Sequence, residues 1–110
     1  MRQTDQDAPA QEEVVRRLVA AFSPKSIVLF GSHAQGRAGP DSDLDLLVIA
    51  DSDEPLHRRG ARAHHALRGL RVPVDVFVCT PAEVERYRGW LSHTVAMALR
   101  EGRVIYDSAA

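Results

Sequence analysis

Residues 26–50 read SIVLFGSHAQGRAGPDSDLDLLVIA, and two apolar runs in this segment flank a loop rich in Gly, Ser, Pro and Asp. The first run, Ser26–Phe30, is short, continuous and β-branched, which is typical of a strand covered on both faces. It stops at Gly31, and a second strand is predicted for residues 43–50. The loop between them permits an antiparallel pair, with room for one helical turn in the loop.

Helical patterns lie on both sides of this segment. Asp7, Ala8 and Pro9 resemble the start of a helix, whose apolar stripe runs to Phe22 before Ser23 and Pro24 end it. Downstream, the acid-rich, proline-marked stretch at residues 51–55 predicts the start of a second helix that keeps helical spacing to Leu70.

Residues 72–79 show an alternating side-chain pattern around Asp75, and this pattern predicts a third strand. Thr80 and Glu83 form a capping box before a short helix, and Gly102 can close a last helix. A final strand is expected at residues 104–106. The order of elements predicts an α/β (α+β) fold, with a small mixed β-sheet flanked by helices.

Length and composition restrict the class of protein. The 110 residues suit one domain, which we place at residues 9–107 after a flexible N-terminus of residues 1–8. The composition is 45% hydrophobic and 26% charged, which excludes collagenous and wholly disordered classes. No apolar run approaches the ~20 residues of a membrane-spanning helix.

Charge and cysteine content exclude further classes. The formal net charge is -1, so there is no global basic field, and we expect no direct binding of nucleic acid. The single cysteine, Cys79, excludes an internal disulfide, and the polar N-terminus does not resemble a signal peptide. Both features favour the cytoplasm. The histidines show no ligand spacing for a Cys/His zinc site.

Acidic residues mark the expected chemistry. Asp43 and Asp45 stand at i and i+2 of the second strand, so both project from one face, ~6.6 Å apart along the backbone. Like charges at that distance raise each other's pKa unless a cation neutralises them. Asp75 lies in an otherwise apolar strand, and if this strand lies beside the second one, three carboxylates converge. Such a set suits one or two Mg²⁺ ions and the transfer of a phosphoryl or nucleotidyl group.

Gly31 and Ser32 follow the first strand, where ligands commonly meet an α/β sheet. Glycine lets the backbone approach a phosphate, and Ser32 offers an N–H and a hydroxyl. The segment at residues 31–48, GSHAQGRAGPDSDLDLLV, resembles the signature of the polymerase-β-type nucleotidyltransferases, with Asp75 as the third acid. Its details are most similar to the minimal nucleotidyltransferases of prokaryotes, which are often encoded beside a HEPN-domain ribonuclease as antitoxin and toxin.

The resemblance implies a polymerase-β-like fold and a role for each matching position. Asp43, Asp45 and Asp75 would be the catalytic and metal-binding residues, with Asp75 also helping to deprotonate the acceptor hydroxyl. The nucleotide-binding residues would be Gly31, Ser32, Arg37 and Ser42. Many relatives carry arginine where this chain has Gln35, and Arg37 is the candidate substitute.

The activity implied is Mg²⁺-dependent transfer of AMP from ATP to a hydroxyl, with a tyrosine of a partner HEPN toxin as acceptor. Two alternatives remain open at this stage. The chain could neutralise its toxin by binding alone, or it could modify a small-molecule acceptor.

Several residues have a simpler interpretation. Asp75 could pair with an arginine of the second helix, although its combination with Asp43 and Asp45 favours the metal role. The Arg and His residues of that helix are interpreted as a solvated face, with an acidic partner surface as the second interpretation. His33 is expected to be an exposed loop residue and Cys79 a small buried hydrophobe. Trp90 is assigned equally to a core position and to an interface.

Overall fold

The computed structural model describes residues 3–37, 39, 43–89 and 93–110, with side chains from residue 10 onward. Helices and strands alternate along most of the chain. Their order is α1 (Gln3–Phe22), β1 (Ser26–Phe30), α2 (Gly31–Ala34), β2 (Leu44–Ile49), α3 (Leu56–Ala66), β3 (Val74–Cys79), α4 (Pro81–Tyr87), α5 (Thr94–Glu101) and β4 (Arg103–Asp107).

The strands form one mixed sheet in the order β3-β2-β1-β4. Strand β1 pairs antiparallel with β2 and with β4, whereas β2 and β3 are parallel. Helix α3 makes the crossover that a parallel pair requires. The predicted mixed α/β sheet with flanking helices is therefore confirmed.

Helices cover both faces of the sheet, because alternate residues of the central strands point to opposite sides. On the first face, β1, β2 and β3 pack against α1 and α3 through buried residues that include Leu18, Leu46 and Ala63. On the second face, the sheet packs against α4 and α5 through Leu47 and Val95 among others. Within the described residues, no helix is both long enough and apolar enough to cross a membrane.

The start of α1 differs from the prediction. The helix begins at Gln3, whereas the sequence indicated a start near Asp7 and Pro9. Acidic residues in the first turns of a helix interact favourably with its dipole, so the polar N-terminal residues can extend it. The flexibility of residues 1–8 and the domain bounds 9–107 stay predictions.

Two strands begin later than expected, for a local reason. Strand β2 starts at Leu44, so Asp43 immediately precedes it, and β3 starts at Val74. Pro73 has no N–H to donate to a ladder, although its carbonyl accepts a hydrogen bond from the Leu44 N–H at 2.9 Å. Helix α3 ends at Ala66, before a turn in which Gly69 has a φ of 89°.

Candidate active site

Two of the predicted acids face each other in the sheet. Asp45 of β2 and Asp75 of β3 are register partners in the parallel pair. Register partners project to the same side, here the second face, where Leu47 follows Asp45 at the next position of that face. The sheet thus brings the two carboxylates together, as the sequence predicted for neighbouring strands.

The pKa of Asp45 is affected by Asp43 as well as by Asp75. Burial raises the pKa of Asp45, and the negative charges of Asp75 and Asp43 raise it further. Asp45 is half-buried, whereas Asp43 and Asp75 are exposed. The negative charges of Asp43 and Asp75 therefore both act on Asp45, and a nearby cation would offset this repulsion.

Gly31 lies directly against Asp45. Its φ is 76°, and a Cβ added to it would stand 2.3 Å from Oδ2 of Asp45. Only glycine adopts this backbone conformation easily and also leaves room for the carboxylate. The predicted phosphate-binding position and the predicted metal ligand are thus adjacent across β1 and β2.

His33 is a component of the site that the sequence did not reveal. The expectation of an exposed loop residue is wrong, because His33 lies in α2 and is half-buried. Its charge interaction with Asp45 lowers the pKa of that carboxyl and so opposes the effect of the other two acids. The position of His33 near Asp45 depends on the packing of α2 against β2, which no local sequence pattern shows.

The loop after α2 is tied to α5. The Gln35 side-chain N–H donates to Oε1 of Glu101 at 3.0 Å, and the Arg37 guanidinium donates to Oε1 of Gln35. The Gln35 side chain therefore links Arg37 to Glu101. Ser32 is half-buried in α2, and Ser42 lies outside the described residues. The nucleotide-binding roles of these residues stay predictions.

The donor set at the site fits a hard divalent cation. Carboxylate oxygens are preferred ligands of Mg²⁺. Burial raises the pKa of Asp45 most, and the charges of Asp75 and Asp43, which a cation would offset, raise it further. Among the described residues, however, no three Asp, Glu, His or Cys side chains lie close enough to form a complete metal site. The metal-binding roles of Asp43, Asp45 and Asp75 therefore stay predictions.

The structure does not support the alternative role of Asp75 as a salt-bridge partner for an arginine of the second helix. No ion pair joins Asp75 to any arginine of α3, a helix whose residues are all described.

A buried ion pair lies near the opposite end of β3. The interpretation of the Arg and His residues of α3 as a solvated face is wrong for Arg59, which is only 6% exposed. Its guanidinium donates to both carboxylate oxygens of Glu83, at 2.6 and 3.1 Å, and to the carbonyl of Val78 at 3.2 Å. This hydrogen bonding lowers the pKa of Glu83.

Glu83 has a second structural function. Its Oε1 also accepts a hydrogen bond from the Thr80 N–H at 2.9 Å, and Oγ1 of Thr80 accepts one from the Glu83 N–H at 3.2 Å. The predicted capping box is confirmed. One carboxylate thus joins α3 to the start of α4.

Two further predictions concern single residues. Cys79 is buried, as predicted, and burial raises the pKa of its thiol. Trp90 lies outside the described residues.

Comparison with known proteins identifies the family. The family model of the nucleotidyltransferase domain matches residues 11–97, a span that includes β1, β2, β3 and all three acids. The chain belongs to the nucleotidyltransferase domain family. Comparison with curated protein sequences gives no match.

Solved structures share the nucleotidyltransferase fold. A protein from Sulfolobus solfataricus, assigned as a nucleotidyltransferase, aligns with a TM-score of 0.65 and 19% identity, over 92% of this chain and 80% of that one. A chain of a toxin–antitoxin structure determined with AMP-PNP aligns with a TM-score of 0.64 and 21% identity, over 89% of this chain and 73% of that one. At these identities the likeness shows the fold.

Proposed function

We propose that this chain is a Mg²⁺-dependent nucleotidyltransferase that moves AMP from ATP to a tyrosine hydroxyl of a HEPN-domain ribonuclease toxin, and so acts as its antitoxin. The observation that carries the proposal is the register pair of Asp45 and Asp75, with Gly31 packed against the Asp45 carboxylate. Family membership supports the reaction class.

Each site residue has a role in the proposed reaction. Asp43 and Asp45 would hold the Mg²⁺, which neutralises charge on the triphosphate and the leaving pyrophosphate. Gly31 and Ser32 would hold the phosphates through backbone and hydroxyl groups, with Arg37 and Ser42 as further nucleotide contacts. Asp75 would share the metal and accept the proton of the acceptor hydroxyl. The acceptor oxygen then bonds to the α-phosphorus as the bond to pyrophosphate breaks.

The exposure of the site supports a macromolecular acceptor. Asp43 and Asp75 are exposed, so a residue presented by another protein can reach them. A fold neighbour that was determined as a toxin–antitoxin structure with AMP-PNP is consistent with this class of partner. ATP as substrate and an intracellular toxin would place the reaction in the cytoplasm.

Pyrophosphate release tests the proposal. The purified chain is mixed with ATP, Mg²⁺ and the protein encoded by the neighbouring gene, and Asp45→Asn and Asp75→Asn are compared with Asp53→Asn. Asp53 is an exposed acid outside the site, which makes it a matched control. We expect release by the unmodified chain and the control and loss in both site variants. Equal release by all four proteins would contradict the assigned roles.

Neutralisation of the toxin in cells separates catalysis from binding alone. The proposed reaction predicts that a chain carrying Asp43→Asn and Asp45→Asn no longer protects cells that express the toxin. Protection that survives both substitutions would instead favour an antitoxin that acts by occlusion. In that case the variant should still bind the toxin as tightly as the unmodified chain does.

A further inference from the structure

Positive charge is concentrated in one segment of the chain. Residues 56–71, LHRRGARAHHALRGLR, contain five arginines and three histidines but no acidic residue, although the whole chain has a net charge of -1. We call the exposed basic side chains of this segment the basic surface. They are His57, Arg58, Arg62, His64, His65, Arg68 and Arg71.

Neighbouring acids neutralise only part of this charge. Arg62 pairs with Glu54 at 2.8 Å, and the buried Arg59 pairs with Glu83. Among the described residues, no ion pair engages Arg68 or Arg71. Both arginines lie in or after the turn that ends α3, so their charge there is not neutralised by an ion pair with any described residue.

A groove with an apolar floor adjoins this charge. It lies between α3 and β3, with a volume of about 480 Å³. We call it the edge groove. Its floor consists of half-buried apolar side chains, and His64 and Arg68 contribute basic side chains to its lining. The floor residues are Leu67, Leu70, Val72, Val74 and Val76.

The backbone that carries the groove's arginine is fixed in place. The Arg17 guanidinium of α1 donates to the carbonyl of Arg68 at 2.9 Å and to the carbonyl of Ala66 at 3.3 Å. Arg17 is itself held by Glu13 at 2.9 Å. The turn after α3 is therefore bound to α1. These contacts hold this wall of the groove in place.

The edge groove and the catalytic acids share one strand. Val74 and Val76 line the groove, and Asp75 lies between them on the opposite face of β3. Strand β3 is the last strand on its side of the described sheet. A segment seated in the groove needs to pass only the width of this edge strand to place a hydroxyl beside Asp75.

We propose that the edge groove and the basic surface together bind an acidic, amphipathic segment of the partner protein that carries the acceptor hydroxyl. The inference rests on the proposed function, whose acceptor it describes further. The apolar floor requires apolar side chains from the occupant, and the unneutralised arginines require acidic ones beside them. Single-stranded nucleic acid is disfavoured because residues 56–71 contain no Phe, Tyr or Trp side chain on which bases could stack.

Charge reversal at the groove tests the docking surface. A variant with Arg68→Glu and Arg71→Glu is compared with a control carrying Arg86→Glu and Arg103→Glu, which makes the same charge change at exposed positions elsewhere. The probe is the purified protein encoded by the neighbouring gene, titrated by calorimetry without ATP. We expect about tenfold weaker binding and a smaller salt dependence for the groove variant, and a change within about twofold for the control.

Other results would overturn the inference. Equal affinity of the two double variants would do so, and so would the absence of binding by the unmodified chain. Competition by a single-stranded RNA oligonucleotide that is lost in the groove variant, with protein binding unaffected, would assign the surface to nucleic acid. A milder variant, Arg68→Gln with Arg71→Gln, repeats the comparison if the charge-reversed protein does not fold.

Binding and transfer can fail separately. Asp45→Asn should bind the partner like the unmodified chain while losing AMP transfer. Groove-dependent binding without any transfer by the unmodified chain would leave the docking surface supported and the proposed reaction contradicted. If the groove variant instead keeps both AMP transfer and its affinity for the partner, the proposed reaction is supported and the docking surface is contradicted.

Discussion

Asp45 and Asp75 stand directly opposite each other on the parallel strands β2 and β3, with both carboxylates on one face of the sheet. Like charges in this position destabilise a sheet, and burial adds to the cost for Asp45. The pair is therefore expected to lower the stability of the free chain, and a cation bound between the strands would relieve the repulsion.

Removal of the Asp45 charge should stabilise the free chain while abolishing transfer. The pKa of Asp45 is raised in the folded state, so folding favours its protonated form. Its contribution to stability is then lost as the pH rises from the ordinary Asp pKa through the raised folded value. Asp45→Asn should show a higher melting temperature than the unmodified chain at pH ~7 and a smaller gain at pH ~3. Thermal melts without metal at both pH values measure this, and an equal gain at both would contradict it.

Mg²⁺ should stabilise the unmodified chain through the site acids. A ligand that binds only the folded state adds about 2.7 kcal/mol when its concentration is 100 times its Kd. The melting temperature should therefore rise with Mg²⁺, and the rise should vanish in a variant carrying Asp43→Asn and Asp45→Asn. Asp53→Asn is the matched control, and its response should equal that of the unmodified chain. A response to Mg²⁺ that persists in the double variant would place the ion elsewhere.

Gly31→Ala should be more damaging than Gly36→Ala. Both glycines have positive φ values, 76° and 71°, so each substitution carries a similar backbone strain of about 1–2 kcal/mol. Only at Gly31 does the new methyl group meet a neighbour, because Oδ2 of Asp45 would lie 2.3 Å away, whereas nothing lies within 4 Å at Gly36. Denaturant unfolding should show a larger loss for Gly31→Ala, by about a further 1–2 kcal/mol. Transfer activity should fall with it, and equal losses in the two variants would contradict the close contact.

Glu83 should account for part of the acid sensitivity of the fold. Its pKa is lowered by the hydrogen bond from Arg59, so its stabilising effect is present above the ordinary Glu pKa and is lost as the pH falls through the lowered folded value. Glu83→Gln should lower stability at neutral pH by about 3 kcal/mol, since it leaves the buried Arg59 without its counter-charge. The difference from the unmodified chain should shrink on acidification.

Glu85→Gln is the control for this measurement. Glu85 lies on the same helix and pairs with Arg88 at 2.9 Å, but both side chains are more than half exposed. Such a pair contributes less than about 1 kcal/mol. Unfolding free energies that respond equally to the two substitutions would contradict a special role for Glu83.

Local patterns predicted most of the elements because they depend on neighbouring residues alone. The strand at Ser26–Phe30 is found with the predicted bounds, and the capping box of Thr80 and Glu83 is formed. Gly102 closes α5, since its N–H donates to the carbonyl of Ala98 at 2.8 Å. In each case the deciding side chains or backbone groups lie within a few positions of one another.

The remaining features depend on contacts between distant segments. The helical pattern of α3 placed Arg59 among solvated residues, because nothing in that pattern shows that Glu83 of α4 packs over it. The contact of Gly31 with Asp45 and the position of His33 depend on strand register and on the packing of α2. The sequence identified the three acids, whereas only the fold shows which backbone lies against them.

Transfer of label from ATP to the neighbouring gene's protein tests the central claim most directly. The purified chain, the partner and Mg²⁺ are incubated with ATP labelled at the α-phosphate or at the γ-phosphate, and the labelled partner is mapped by mass spectrometry. The proposed reaction predicts label on a partner tyrosine from the α-phosphate only, and none with Asp45→Asn. Label from the γ-phosphate, or no label on a partner that the chain still neutralises, would contradict nucleotidyl transfer.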